Sequence, residues 1–570
     1  MSTPLTHSHT RGRTDTPLIE QTLGAFFDAM VERFPEREAL VVVHQGRRYT
    51  YRELQTESRR LASALLRLGL KPGDRIGIWS HNNAEWVLMQ LATAMAGMVL
   101  VNINPAYRTA EVEYALNKVD CKALVVMPRF KTSDYLGMLR ELAPEWAHAR
   151  AGQPLESQTL PHLKHAIWID VPGEGADESG FMRFSELMKT GDPQDARLAE
   201  AARLLHNSDA INIQFTSGTT GFPKGATLTH RNILNNGFFI GEAMKLTEED
   251  RLCIPVPLYH CFGMVLGNLA VLTHGGCIVY PNDAFEPLSV LQTVQDEKCT
   301  GLHGVPTMFI AELDHPRFAE FDLGTLRTGI MAGSPCPIEV MKRVQRDMNM
   351  AEVTIAYGMT ETSPVSCQSQ TDTPLDKRVS TVGLVQPHLE VKIVNPETGE
   401  TVPIGTTGEL CTKGYSVMQG YWGDEARTRE AIDAEGFMHT GDLATMDEEG
   451  YVNIVGRSKD MVIRGGENVY PREIEEFLYR HPKVQDVQVV GVPDQRFGEE
   501  LCAWIIVKPG QSLDEVEVRE FCKGKIAHYK VPRYMKFVGE FPMTVTGKIQ
   551  KFRIRELMQE ELGLTEAKTA

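Results

Sequence analysis

Between Arg75 and Val126 the chain alternates short apolar runs with longer stretches of helical period, and that alternation restricts what it can fold into. Arg75-Ile76-Gly77-Ile78-Trp79, Val99-Leu100-Val101-Asn102 and Ala123-Leu124-Val125-Val126 have strand length. Ala84 to Gly97 and Ala110 to Val119 carry apolar residues at helical spacing. Strands alternating with helices in this way predict a parallel, doubly wound α/β sheet. Upstream, Leu23 to Phe34 and Tyr51 to Leu70 read as amphipathic helices, stopped by Pro35 and by Lys71-Pro72-Gly73-Asp74. No Gly-x-Gly-x-x-Gly follows the first strand, so a dinucleotide cofactor is not supported. Residues 128 to 200 are polar, with proline, glycine and acidic clusters, and are expected to hold irregular surface structure.

With 570 residues the chain exceeds one ordinary core, so two or more domains are expected. Its net charge of −16 argues against a nucleic-acid partner or an anionic membrane surface. Any polyanion must then be held by local donors and metal. Ten cysteines without a Cys-x-x-Cys pair fit a reducing compartment, the cytoplasm, without structural zinc. The apolar window Trp86 to Val101 is interrupted by Gln90 and Thr93, so it reads as a buried helix running into a strand, not as an integral membrane contact. The first 17 residues lack an apolar signal core, and residues 1–20 are expected to be a disordered tail.

The chemistry concentrates in Thr216-Ser217-Gly218-Thr219-Thr220-Gly221-Phe222-Pro223-Lys224-Gly225. Ala210 to Phe215 before it alternates as a strand, and Thr229 or His230 can open a helix after it. Glycines let consecutive backbone N–H groups turn towards one point, and four hydroxyls and a lysine add donors and charge there. The loop suits a polyphosphate, and it lacks the Gly-Lys-Ser/Thr of a Walker A loop. Further on, Glu352 to Ile355 reads as a strand leading into Ala356-Tyr357-Gly358-Met359-Thr360-Glu361, which puts a ring, a hydroxyl and a carboxylate on one short loop. Magnesium binds through one or two carboxylates plus phosphates, so a single glutamate suffices. Residues 391 to 456 form a small β-region, and the chain from Met461 on reads as a compact α+β domain.

These motifs, in this order, resemble the adenylate-forming superfamily of acyl-CoA synthetases, luciferases and peptide-synthetase adenylation domains. The likeness covers nearly all of the chain beyond residue 20. It implies an N-terminal adenylation domain over 21–457, a hinge at 458–460 around Lys459, and a mobile C-terminal domain over 461–570. It assigns ATP phosphates to Thr216, Ser217, Gly218, Thr219, Thr220 and Lys224. Adenine and ribose fall to Gly333, Ser334, Pro335, Tyr357, Asp442 and Arg457. Mg²⁺ falls to Glu361 with Thr219, and the α-phosphate to Thr360. Tyr259 and His260 match an aromatic–histidine pair at the junction of ATP and carboxylate. Lys548 matches the lysine that bridges the acyl carboxylate and the α-phosphate. Gly465 and Gly466 match the tunnel for the pantetheine arm of coenzyme A.

Amino-acid adenylating relatives carry an aspartate near the first aromatic motif, and Tyr259-His260-Cys261-Phe262-Gly263 has no acidic residue to hold an ammonium. The expected acyl wall, Phe238, Phe239, Met264, Val305 and Met331, is uncharged. The resemblance therefore implies an AMP-forming acyl-CoA synthetase acting on a carboxylic acid, ATP and coenzyme A, with a medium-chain fatty acid as the expected substrate. Aryl or branched-chain acids, a luciferase-like oxygenase on the same adenylate, and a homodimer stay open.

Overall fold

The computed structural model describes residues 5–130, 133–171, 180–216, 223–333, 336–457, 460–464, 467–494, 497–523, 526, 528–544 and 547–564. Among the described residues, three large sheets and a two-stranded ribbon of Arg129–Phe130 with Ser133–Asp134 make up the large N-terminal part. In the first, the strands Met182–Arg183, His165–Trp168, Ala123–Val126, Arg75–Trp79, Val99–Asn102 and Ala210–Thr216 run parallel. Lys224–Thr229 and Gly420–Tyr421 then add antiparallel strands. The second sheet has a parallel centre, Glu352–Gly358, Thr328–Ala332, Gly301–Leu302, Arg251–Cys253, Cys277–Tyr280 and Glu38–Val42, with antiparallel strands at both edges. Doubly wound sheets are thus present, but as two mixed sheets whose parallel strands are buried on both faces. The third sheet is antiparallel throughout and includes Leu389–Val394, Gly408–Gly414, Met438–Met446 and Val452–Arg457. From Val462 onward the strands of the described residues pair with one another, around a core that includes Val469, Ile474, Val487 and Ile505.

Helix limits follow local chemistry. Thr50 caps Tyr51–Arg67 in a reciprocal capping box with Glu53, and Thr229 caps His230–Ala243 with Asn232 in the same way. The apolar stretch after Cys261 is wound as a π-helix over Phe262–Leu269 before turning α at Ala270–Leu272. Two of its carbonyls are engaged from outside: Gln90 Nε2 donates to Met264 O (3.1 Å) and His303 Nε2 to Leu266 O (3.0 Å). Outside donors of this kind favour the wider winding.

Two expectations are corrected. The described part of 1–20 is not a disordered tail. His9–Arg11 extends the third sheet by pairing with Leu389–Val394, and Ile19 exchanges two backbone bonds with the Asn235 amide (2.6 and 2.9 Å). Backbone pairing at a sheet edge leaves no trace in composition. The described residues of 128–200 likewise hold more regular structure than expected, with His165–Trp168 in the first sheet and helices at Tyr135–Leu142, Phe184–Thr190 and Ala196–Leu204. Elements of four to nine residues are too short to show a period. No helix among the described residues is long and apolar enough to cross a membrane.

His303 donates from Nε2 and accepts the Ile330 N–H at Nδ1 (3.1 Å), so its buried ring must be neutral. Burial holds its pKa down at about 4, and that of buried His230 likewise at about 4. Unfolded histidine titrates near ~6.5, so the unfolded chain binds more protons below that pH. The stabilisation is therefore fully present above ~6.5 and is lost as pH falls towards ~4, by roughly 3 kcal/mol per ring. The urea midpoint should drop across that window, and replacing His303 with asparagine should flatten part of the drop. A midpoint indifferent to pH there would mean that both rings are hydrated.

Candidate active site

The predicted phosphate loop is closed at its neck by a strand pair, because Thr216 and Lys224 face each other in the antiparallel register. Ser217, Gly218, Thr219 and Thr220 lie outside the described residues. Thr216, from the neck, and Tyr421, from the neighbouring strand, converge on one carboxylate. Thr216 Oγ1 donates to Glu361 Oε1 (3.2 Å), and Tyr421 Oη donates to the same oxygen (2.9 Å). Lys224 Nζ stands 4.8 Å from the centre of the Tyr421 ring. Burial, and then Glu361, push the Tyr421 phenol well up, so it stays a donor. Tyr421 went unnoticed in the sequence, because only the short strand Gly420–Tyr421 beside Ala226 and Thr227 brings it here.

Glu361 itself is delivered by the end of the strand Glu352–Gly358 and the 3₁₀ turn Thr360–Thr362. Its backbone carbonyl accepts the Met418 N–H (2.8 Å), and the side chain is buried. On the same strand end Tyr357 Oη donates to Asp442 Oδ2 (2.6 Å), joining the predicted adenine ring to the predicted ribose carboxylate. Arg457 is the register partner of Asp442 on the neighbouring strand. Burial, then Asp442, hold the Tyr357 phenol protonated. Gly358 is required between these groups: a Cβ there would lie 1.7 Å from Pro364 O.

Opposite, the loop before the π-helix presents Tyr259 and His260. His260 Nδ1 accepts the Phe262 N–H (3.1 Å), which assigns the ring proton to Nε2. Burial, and then Lys548, depress the His260 pKa well below the ordinary histidine value, so the ring is neutral. Cys261 Sγ lies 3.9 Å from Thr360 Oγ1, which ties this loop to the Glu361 turn. Lys548 arrives from the C-terminal part and shares a cleft with Val256, Pro257, His260, Phe262 and Val305. A Cβ on Gly333, whose φ is +90°, would stand 3.1 Å from Val305 Cγ1 and 3.6 Å from Lys548 Cε. Glycine there permits the left-handed turn and the close approach of Val305. The C-terminal part is held by Thr307 Oγ1 to Gly547 O (3.2 Å), Gln485 Nε2 to Asp314 Oδ2 (3.0 Å) and the Ile338 N–H to Glu476 Oε2 (3.3 Å).

Of the five residues expected to wall the acyl pocket, only Val305 lines this cleft. Phe238 stacks on His274 (5.3 Å), and Phe239 packs with Leu389 and Tyr415, so neither floors a tunnel at this cleft. Met331 is buried within the second-sheet core. Met264 turns its sulfur to Asn102 and Gln214 (both 3.2 Å). The residues that do line the cleft and were missed are Val256, Pro257 and Phe262. Ser334, Pro335, Lys459, Gly465 and Gly466 lie outside the described residues.

The tight packing at Gly358 makes a direct test. Gly358→Ala should lower stability by about 3 kcal/mol, because overpacking against backbone cannot relax cheaply. An unchanged urea midpoint would mean that the turn carrying Thr360 and Glu361 has slack.

Comparison with known proteins agrees with this arrangement. Residues 27–422 match the AMP-binding enzyme family, and residues 473–548 match the AMP-binding enzyme C-terminal domain. The chain is 49% identical to YngI of Bacillus subtilis (strain 168), over 96% of this chain and 99% of that one. It is 47% identical to the mitochondrial medium-chain acyl-CoA ligase ACSF2 of Bos taurus, over 98% of this chain and 91% of that one. The crystal structure of the anthranilate CoA ligase AuaEII with anthranoyl-AMP superposes with a TM-score of 0.85 at 28% identity, covering 97% and 99% of the two chains. The fold, the two matched regions and the clustered nucleotide motifs together establish that the chain belongs to the AMP-binding enzyme family, with a large N-terminal and a small C-terminal domain.

Proposed function

We propose that this AMP-binding enzyme is an acid–CoA ligase that activates a medium-chain fatty acid as its adenylate and then as its coenzyme A thioester. The observation that carries this reading is the meeting of Lys548 with neutral His260 beside the Glu361–Thr216–Tyr421 cluster. In the first step a carboxylate oxygen of the acid attacks the α-phosphorus of ATP. The bond to the bridging oxygen breaks and pyrophosphate leaves with the electron pair. Both reactants are anions, so the residues' work is to hold them together and offset their repulsion. The Lys548 ammonium supplies charge at the junction, and His260 offers its Nε2–H to an oxygen there without adding charge. Tyr357 and Asp442 hold the nucleoside end, and Lys224 the far phosphates.

The donors gathered at Glu361 are a carboxylate and two hydroxyls, all oxygen, which suits Mg²⁺. Glu361 would hold the ion, whose chemistry is to neutralise charge on the phosphate oxygens. In the second step the coenzyme A thiol attacks the acyl carbonyl, the thiol proton is lost, and AMP departs. We assign Gly465 and Gly466 to the pantetheine passage and Lys459 to the hinge on the resemblance of their motifs. The apolar cleft residues Val256, Phe262 and Val305 and the absence of an acidic side chain among the cleft residues support an uncharged acyl chain. The likeness to medium-chain acyl-CoA ligases supports its length. A cytoplasmic location belongs to the same reading, supported by ten free cysteines.

Two measurements check it. Lys548→Ala should lose most pyrophosphate formation from acid and ATP, while retaining most conversion of supplied acyl-adenylate and coenzyme A to thioester. Equal loss of both steps would overturn the assignment of Lys548 to adenylation alone. A panel from acetate to palmitate, with benzoate and cinnamate, should peak at medium chains. Each methylene should contribute about 0.8 kcal/mol, roughly fourfold in kcat/KM, until the pocket ends. Phe262→Leu should move the peak to longer acids. Best activity on acetate, palmitate or an aryl acid would overturn the chain length and leave the ligase reading standing.

A further inference from the structure

A second group of metal-ligating side chains lies in the antiparallel third sheet, on the strands behind the ribose carboxylate. Cys411 and His439 are direct cross-strand partners, and Glu409 lies two residues before Cys411 next to a register irregularity. His439 Nδ1 is 3.5 Å from Cys411 Sγ and 2.9 Å from Glu409 Oε2. The sulfur, the nitrogen and a carboxylate oxygen all lie within 4.8 Å of one another. Both contacts fall on the same ring nitrogen, so this is not a relay in which histidine passes a proton between thiol and carboxylate. The three donors converge on a point. Around a tetrahedral zinc ion an S···N edge would be about 3.6 Å and an N···O edge about 3.3 Å, so small shifts would accommodate it.

The far side of the ring is also arranged. His439 Nε2 is 3.5 Å from Asp433 Oδ2, the carboxylate partner that orients metal-bound imidazoles. Asp433 is itself fixed by N–H groups of Glu435 and Phe437 (both 2.9 Å). The nearby cation, Lys392, is engaged by Glu435 (3.1 Å) and lies over the Phe437 ring. Cys411 is buried, while His439 and Glu409 are partly open, so an ion can enter from the histidine side.

We propose that Glu409, Cys411 and His439 form a three-ligand site for a divalent ion of zinc's class, with a fourth position open. Mixed N, S and O donors select borderline metals and leave magnesium aside. Binding releases the Cys411 thiol proton to solvent and displaces the Nδ1 proton shared with Glu409, which goes to solvent or to Nε2, so the ring then carries its proton on Nε2, towards Asp433. The other Glu409 oxygen accepts the Gly441 N–H (2.9 Å), and Thr440 Oγ1 donates to Leu410 O (2.7 Å). Ion binding would therefore brace the bulged stretch of the strand Met438–Met446 that carries Asp442. This consequence rests on the nucleotide reading above, whereas the metal site does not.

The test uses the full chain, purified without a polyhistidine tag and stripped of metal. Co²⁺ should bind at one equivalent with a thiolate charge-transfer band, and Zn²⁺ should displace it. Cys411→Ser should abolish the band, and His439→Gln should weaken Zn²⁺ binding by roughly 100-fold, with Asp433→Asn costing about 10-fold. The half-open position of His439 keeps the test valid should the buried Cys411 variant fail to fold, which melting without metal would reveal. A band that survives in Cys411→Ser, or Zn²⁺ affinity indifferent to both ligand substitutions, would overturn the site. One equivalent of Zn²⁺ should also tighten direct AMP binding. Unchanged AMP affinity with the metal bound would overturn the bracing, and absent AMP binding with or without metal would instead count against the nucleotide reading.

Discussion

Four asparagines hold together what the sheets cannot. The loops that form the cleft leave their strands, so their buried backbone groups have no ladder to bond to, and each unsatisfied group would cost about 1–3 kcal/mol. Asn82 takes the place of a strand, donating to Val256 O (3.0 Å) and accepting the Leu258 N–H (2.9 Å). Asn236 does the same for Val365, at 2.9 Å in both directions. Asn102 donates to Tyr259 O (2.8 Å), and Asn232 to Val417 O (3.2 Å). A side-chain amide carries one donor and one acceptor like a peptide, so it can pair with a single residue of irregular chain. The positions of His260, Glu361 and the Met418–Tyr421 stretch depend on these bonds.

On that frame the site is assembled around buried acids, each with defined partners. Glu361 collects Thr216, Tyr421 and, through the tyrosine ring, Lys224. Asp442 collects Tyr357. A buried carboxylate is tolerable only when hydrogen-bonded, so the same bonds that stabilise the acids aim the surrounding groups. Glycine marks where backbone must pass too close for a side chain, as at Gly358 and Gly333. The π-helix follows the same logic, since its carbonyls at Met264 and Leu266 are satisfied from other elements.

The cluster of Glu409, Cys411 and His439 relates to this centre through the chain. His439 and Asp442 share one strand, and Glu409 holds both His439 and the Gly441 N–H. Rigidity at one point of a short bulged strand limits freedom a few residues on, so an ion there would lower the cost of ordering Asp442 for the ribose contact proposed for it.

Much of this was legible from residues alone because it is local. Alternation at 75–126 specified strands to the residue, since a strand flanked on both faces by helices must be apolar throughout. The Thr216–Gly225 segment and the Tyr357–Glu361 segment stood out because their hydroxyls, glycines and charged groups lie within a few consecutive residues. What failed was non-local. The strand at His9–Arg11 exists only because Leu389–Val394 offers an edge, and Phe238 and Phe239 pack on His274 and Tyr415 and are not among the residues lining the cleft. Cysteine spacing gave no sign of a metal site, because its donors come from two strands 28 residues apart and meet only in register. The chain by itself determined which short segments resemble nucleotide-binding motifs and where strands and helices alternate. Tertiary structure alone decided which of those segments share a cleft, which aromatics line it, and how Tyr421 reaches Glu361, because those depend on pairings between residues far apart in the chain.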